Sequence, residues 1–83
     1  MKIGEQILKI LNKNYEASSK IHTRYQQYDL VFKTDEKGRP ILLFLGRLDE
    51  KGNIKGERFA RRLKEDTSGN MIKDHWEHKG KAT

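Results

Sequence analysis

One five-residue phrase recurs three times in the chain: DEKGR at 35–39, DEKGN at 49–53 and DTSGN at 66–70. Each is Asp-x-x-Gly followed by Arg or Asn. Aspartate favours the first position of a type I turn, and glycine supplies the positive φ that closes a three-residue hairpin loop with a bulge. Repeated at this spacing, the phrase demands antiparallel strands joined by tight hairpins. The intervening runs agree, since Tyr28–Thr34, Pro40–Leu48, Ile54–Glu65 and Met71–His78 are apolar or alternating. Together they predict a four-stranded antiparallel meander. Pro40 opens its strand, where a missing amide hydrogen is tolerated.

Ahead of the meander, Ile3, Ile7, Leu8, Ile10 and Leu11 recur at helical spacing, with Lys2, Glu5, Gln6, Lys9 and Lys13 between them. This predicts an amphipathic helix over the first dozen residues, ending near 14. Residues 15–26 admit two readings. Ala17, Ile21 and Tyr25 continue a helical face, yet Tyr15, Ala17, Ser19, Ile21, Thr23 and Tyr25 also alternate. The β-formers of Ile21-His22-Thr23 tip the balance towards an extended segment over about 19–26, a fifth strand if it pairs. The expected fold is therefore α+β: an N-terminal amphipathic helix packed on a four-stranded, or with 19–26 five-stranded, antiparallel meander. At 83 residues the chain is one domain, 1–83, with 80–83 expected as a frayed tail. It has no cysteine, so neither a disulfide nor a thiolate metal site can staple it.

If Asp35 faces Arg39, Asp49 faces Asn53 and Asp66 faces Asn70, regular pairing sorts the side chains by face. One face then carries Tyr28, Leu30, Phe32, Leu42, Phe44, Leu48, Ile54, Ala60, Ile72 and Trp76, with Arg58, Arg62, Lys64, Asp74 and His78 towards its edge. This face is expected to receive the helix. The other carries Val31, Ile41, Leu43, Leu45, Phe59, Leu63 and Met71 among charges. It is too apolar to be plainly solvated, so residues 15–26, a second copy of the chain or a ligand should cover it. Val31, Leu43, Leu45, Phe59 and Leu63 are thus the candidate self-association face, and a homodimer the expected assembly. A slip of one residue would exchange the faces of any strand.

The stretch KDHWEHKGK at 73–81 concentrates two histidines, two acids, a tryptophan and three lysines. On a strand His75 and His78 point to opposite faces and cannot share a metal ion. Ser18 and Ser19 lie in a polar run, Ser68 lies in a turn, and no nucleophile-elbow pattern surrounds any of them. Asp35, Glu36, Asp49, Glu50 and Asp66 cluster at turns, where turn formation and solvation explain them. No phosphate-cradling glycine motif is present. These observations point to a protein that binds rather than catalyses, without metal or cofactor. The plain reading of the stretch is a sheet strand. Trp76 would sit opposite Ala60, Asp74 opposite Arg62 and His78 opposite Arg58.

A sharper reading starts from charge. Lysine and arginine number 18 against 12 acids, a formal net charge of +6. Lys51, Lys55, Arg58, Arg61, Arg62 and Lys64 crowd into 51–64 with Glu57 as the only acid. Such a balance fits nucleic acid or an acidic protein partner. Arg58, Arg62, Lys64, Trp76 and His78 are the candidate anionic-ligand residues, cations for phosphates beside an aromatic surface for a base. The helix-then-meander order distantly resembles small RNA-binding and toxin-type α+β domains. The Gly-Ser-His type cleavage motif of some such toxins is absent, since His22 sits in KIHTRY. Function is therefore expected to be that of a small basic binding module, with self-association through the apolar sheet face as the alternative. Glu5, Gln6 and Lys9 interrupt the N-terminal apolar residues, so neither a signal peptide nor a membrane span is expected, and the expected compartment is the cytoplasm. The Lys- and Ile-rich composition suggests a bacterial chain.

Overall fold

The computed structural model describes residues 3–82. Five strands form a single antiparallel sheet in sequence order: β1 (Lys20–Tyr25), β2 (Tyr28–Thr34), β3 (Pro40–Leu48), β4 (Ile54–Glu65) and β5 (Met71–Lys81). One helix, α1 (Glu5–Leu11), precedes them. The segment with two sequence readings is thus a strand, and it pairs with β2 at the sheet edge rather than crossing a face.

All three repeated phrases form the same turn. The amides of Gly38, Gly52 and Gly69 donate to the carbonyls of Asp35, Asp49 and Asp66, and those aspartates' amides donate to Arg39, Asn53 and Asn70. Each aspartate carboxylate accepts two further amides, from Lys37 and Arg39, from Lys51 and Asn53, and from Ser68 and Asn70. The glycines have φ of 79°, 82° and 84°, the left-handed region that a Cβ disfavours.

Between the turns, the register departs from the regular one at bulges. Thr34 pairs with Pro40 but Lys33 pairs with Leu42, so Ile41 is an extra residue. Pro40 has no amide to give the ladder, and a bulge beside it accommodates the loss. In β5, Ile72 and Lys79 are extra, the second beside Gly80 at φ 100°. Between β3 and β4 the expected pairing holds, with Leu43 opposite Phe59 and Leu48 opposite Ile54.

The bulges decide which face becomes the core. Leu30 and Phe32 of β2 share a face with Leu43 and Leu45 of β3, Phe59 of β4 and Trp76 of β5. Ile7 and Leu11 of α1 complete this cluster, and Ile3, Ile10, Tyr15, Ile21 and Tyr25 pack on its margin. The helix therefore sits over Leu43, Leu45 and Phe59, not over Leu42 and Phe44 as regular pairing implies. Burying large apolar side chains is worth about 1.5–3 kcal/mol each, which favours the register that brings Trp76 to the core and leaves Ile72 outside.

The helix is seven residues long, shorter than the dozen expected; residues 1 and 2 lie outside the described chain. It stops at Asn12, and its last carbonyls find partners from elsewhere. The Tyr15 hydroxyl donates to Ile10 at 2.6 Å and Arg61 Nη1 donates to Leu11 at 3.3 Å. Such bonds replace the continuation of the helix. At the other terminus, Gly80 and Lys81 pair with Arg58 and Glu57, and the Ala82 amide donates to Gly56. The expected frayed tail is therefore sheet through Lys81, with Ala82 hydrogen-bonded beyond it, and residue 83 lies outside the described chain.

A candidate anionic-ligand face

Opposite the helix, the sheet presents Lys20, His22 and Arg24 of β1, Asp29, Val31 and Lys33 of β2, and Leu42 and Phe44 of β3. From β4 come Arg58, Ala60, Arg62 and Lys64, and from β5 Lys73, His75 and Glu77. Two bonds define how this face is shaped. The Leu48 amide donates to Asp29 Oδ2 at 3.1 Å, and Asp29 Oδ1 lies 3.1 Å from His22 Nε2. The hydrogen bonds from Leu48 and His22 hold the Asp29 carboxyl below the usual carboxylate range.

Gly46 and Gly56 pair directly across β3 and β4. The backbones come so close that a Cβ on Gly46 would lie 2.0 Å from the Lys55 carbonyl oxygen, and one on Gly56 2.1 Å from that of Leu45. At this pinch the hairpin bends over the cationic face. Asp49, Gly52, Asn53, Ile54 and Lys55 of its tip line a half-open cavity of about 460 Å³ with Lys20, Val31, Lys33, Phe44 and Ala82. Straight strands rising about 3.3 Å per residue would carry the tip well away from Lys33, so the shared lining requires the fold-back. Lys20 and Ala82 come from opposite edges of the sheet, which is therefore curled around this cavity. The tip buries Val31 and Ile54 and leaves Phe44 half-buried.

The expected spare face is thus resolved within one chain. Leu43, Leu45 and Phe59 are in the core under the helix, with half-buried Leu63 beyond them on the same face. Val31 lies on the opposite face beneath the folded hairpin. The five residues expected to form one self-association surface are divided by the sheet.

The anionic-ligand set is divided as well. Arg58, Arg62 and Lys64 share the cationic face, opposite Gly80, His75 and Lys73. Trp76 and His78 lie on the helix face, opposite Arg61 and Phe59 rather than Ala60 and Arg58. Asp74 lies opposite Leu63, and its carboxylate forms an ion pair with Arg61, not Arg62. Arg61 donates to both Asp74 oxygens at 2.7 and 2.8 Å, and its guanidinium lies 5.8 Å from the Trp76 ring centre. Its side chain is 8% exposed, and it also donates to Leu11 and Pro40 carbonyls. The hydrogen bonds from Arg61 hold the Asp74 carboxyl below its ordinary range. His78 Nε2 lies 2.7 Å from Glu57 Oε2, and this bond lowers the Glu57 pKa. These groups hold the helix and sheet together.

The charges of the cationic face are balanced differently. Arg24 reaches Asp29, while Lys79 and Arg62 reach Glu77 at 3.0 and 3.1 Å. Hydrogen bonds from Lys79, Arg62 and His75 lower the Glu77 pKa to about 2. Among the described residues, no carboxylate lies within 4 Å of the cationic groups of Lys20, Lys33, Arg58, Lys64 or Lys73. Lys20 stands directly opposite Lys33, and Lys64 opposite Lys73. Like charges directly opposed across strands are destabilising, and both pairs lie on this face.

His75 and His78 point to opposite faces of β5, and no cluster of three or more metal-ligating side chains occurs among the described residues. No helix among them is long and apolar enough to cross a membrane. Sequence reasoning missed Lys20, Lys33 and Phe44 as site residues. The signal for them is the glycine pair, since Gly46 and Gly56 stand equally far from Lys51, the centre of their turn. Facing glycines in two strands mark a close backbone approach. No protein-family model, no curated protein and no solved structure matches this chain.

Proposed function

We propose that this is a small basic binding domain whose ligand is an anionic polymer, with single-stranded nucleic acid the polymer that fits it best, and that it acts by binding without turnover. The observation that carries this reading is the unequal distribution of charge between the two faces. Beside the helix Arg61 and His78 meet carboxylates, whereas Lys20, Lys33, Arg58, Lys64 and Lys73 face outward on the other side with no carboxylate in ion-pair distance among the described residues. A surface that gathers cations and leaves them unneutralised gains most from a ligand with many negative charges. Phe44, half-buried among them, supplies an aromatic surface for a base in place of Trp76.

Titration of a labelled single-stranded oligonucleotide at several salt concentrations tests the proposal. Binding should weaken steeply as salt rises, because each neutralised phosphate releases counterions. Replacing Arg58 and Lys64 together with alanine should lower the slope of log affinity against log salt by up to about two. Absence of binding at low salt would refute the proposal.

Self-association, the second reading, draws on a different observation. β5 is an edge strand, and Met71 and Ile72 near its start are 42% and 59% exposed. An edge with exposed apolar residues is a template for pairing with another chain. Sedimentation of wild type and Ile72→Lys checks this, with a shift to monomer in the variant as the supporting result.

A further inference from the structure

We infer that the cavity beneath the folded β3–β4 hairpin is a pocket for a single nucleotide of the bound strand, its phosphate between Lys20 and Lys33 and its base against Phe44. The inference rests on the nucleic-acid reading above and adds where, and in what form, the strand is held. Three features meet at this place. The cavity, about 460 Å³, falls within the size range of small-molecule sites. Its floor is apolar, with Val31 buried and Phe44 in its lining, and buried Ile54 of the hairpin tip closes over them. At its side stand Lys20 and Lys33, directly opposed across β1 and β2 with no carboxylate within ion-pair distance of either among the described residues.

Each feature matches one part of a nucleotide. A phosphate between two facing ammonium groups converts a repulsion into two charge-assisted hydrogen bonds. A half-buried aromatic ring offers the stacking that holds unpaired bases in single-strand binders. The roof is tied to the sheet where the Asp29 carboxylate accepts the Leu48 amide, above the close approach of Gly46 and Gly56. A base paired in a duplex must be unpaired before its face can reach the Phe44 ring beneath the hairpin, so the pocket favours single strands. Arg58, opposite Phe44 on β4, lies on the way from this pocket to Arg62 and Lys64, so the following phosphates have cations to meet.

Binding of a single-stranded oligonucleotide and of a duplex of the same sequence and length should be compared at low salt. Wild type should prefer the single strand. Phe44→Leu should reduce single-strand affinity by roughly tenfold or more while leaving the salt slope nearly unchanged. Lys20→Gln with Lys33→Gln should lower that slope by up to about two and raise the melting temperature at low salt, because the like-charge pair is gone. Mapping of amide resonances with adenosine 5′-monophosphate on the wild-type chain guards against a Phe44 variant that folds poorly. The expected shifts centre on Val31, Lys33, Phe44 and Ile54. Equal affinity for both oligonucleotides, or monophosphate shifts centred on the helix face, would overturn the pocket even if Arg58→Gln with Lys64→Gln still weakens binding. Loss of all nucleic-acid binding at low salt would overturn the pocket and the proposed function together.

Discussion

The turn at 35–39 and the turns at 49–53 and 66–70 share one internal hydrogen-bond pattern, yet they stand in different surroundings. Gly52 and Gly69 face open space, and a Cβ on either would meet nothing within 4 Å. Gly38 is buried under the chain that links α1 to β1, and a Cβ there would lie 2.1 Å from the Tyr15 carbonyl oxygen. The Tyr15 amide donates to the Gly38 carbonyl, and the Ser18 amide to that of Asp35. Beside them, buried Thr34 donates its hydroxyl to the Glu16 carbonyl at 2.7 Å and accepts the Ser19 amide at 2.9 Å. Arg39 joins Asp35 and Glu65 at 2.8 and 2.6 Å. A local sequence signal thus makes the same turn three times, and tertiary contact converts one of them into a junction.

This contrast orders the expected effects of substitution. Gly38→Ala should be the most damaging, costing about 3 kcal/mol or more, because a positive φ is compounded by a backbone clash that no rotamer relieves. Equal denaturation midpoints for Gly38→Ala and Gly52→Ala would remove the distinction between the turns. Thr34→Val should cost about 1–2 kcal/mol, since it strands a partly buried carbonyl and amide while preserving shape; chemical denaturation measures it. Gly52→Ala and Gly69→Ala should each cost only about 1 kcal/mol, the conformational term alone. A loss at Gly52 well above that at Gly69 would show that the hairpin tip over the cavity is coupled to the core.

The smallest effect expected is one of pH. Burial raises the Asp35 pKa, but hydrogen bonds from Arg39 and Lys37 outweigh it and the net shift is downward. The hydrogen bond from Arg39 lowers that of Glu65. Groups with depressed folded pKa values bind fewer protons folded than unfolded. Their contribution is present above the unfolded values, near 4, and is lost as pH falls through the folded ones. Melting temperature should therefore drop below about pH 4, and Arg39→Gln should flatten that drop. An identical acid profile in the variant would show that the junction does not depend on this pairing.

The same division between local and tertiary causes explains what was legible in the sequence. The turns were readable because Asp and Gly act within five residues. The strands β2, β3 and β4 followed with their bounds, and the extended segment expected over about 19–26 is the strand Lys20–Tyr25. Which face each strand buries was not readable, because Ile41, Ile72 and Lys79 each shift the ladder by one residue. No local signal distinguishes Trp76 opposite Arg61 from Trp76 opposite Ala60; the choice is made by how much apolar surface the helix and sheet bury together. For that reason Arg58, Arg62 and Lys64 were legible as one cationic face, whereas Lys20, Lys33 and Phe44 beside them were not, and Trp76 was assigned to the wrong face. The fold-back of the hairpin was hinted at only by two facing glycines, whose meaning depends on a register the bulges elsewhere obscure.

The position of Trp76 has a practical bearing on how this protein is observed. It is the chain's single tryptophan, wedged between the Arg61 guanidinium and the core, with its indole Nε1 buried and without a hydrogen-bond partner among the described residues. Its emission therefore reports on the packing of this core and of Arg61 against it. A ligand on the opposite side of the sheet leaves its surroundings as they were. Intrinsic fluorescence will follow denaturation faithfully and stay dark to binding, so an optical probe for the cationic face has to be introduced there, for instance as a tryptophan in place of Phe44.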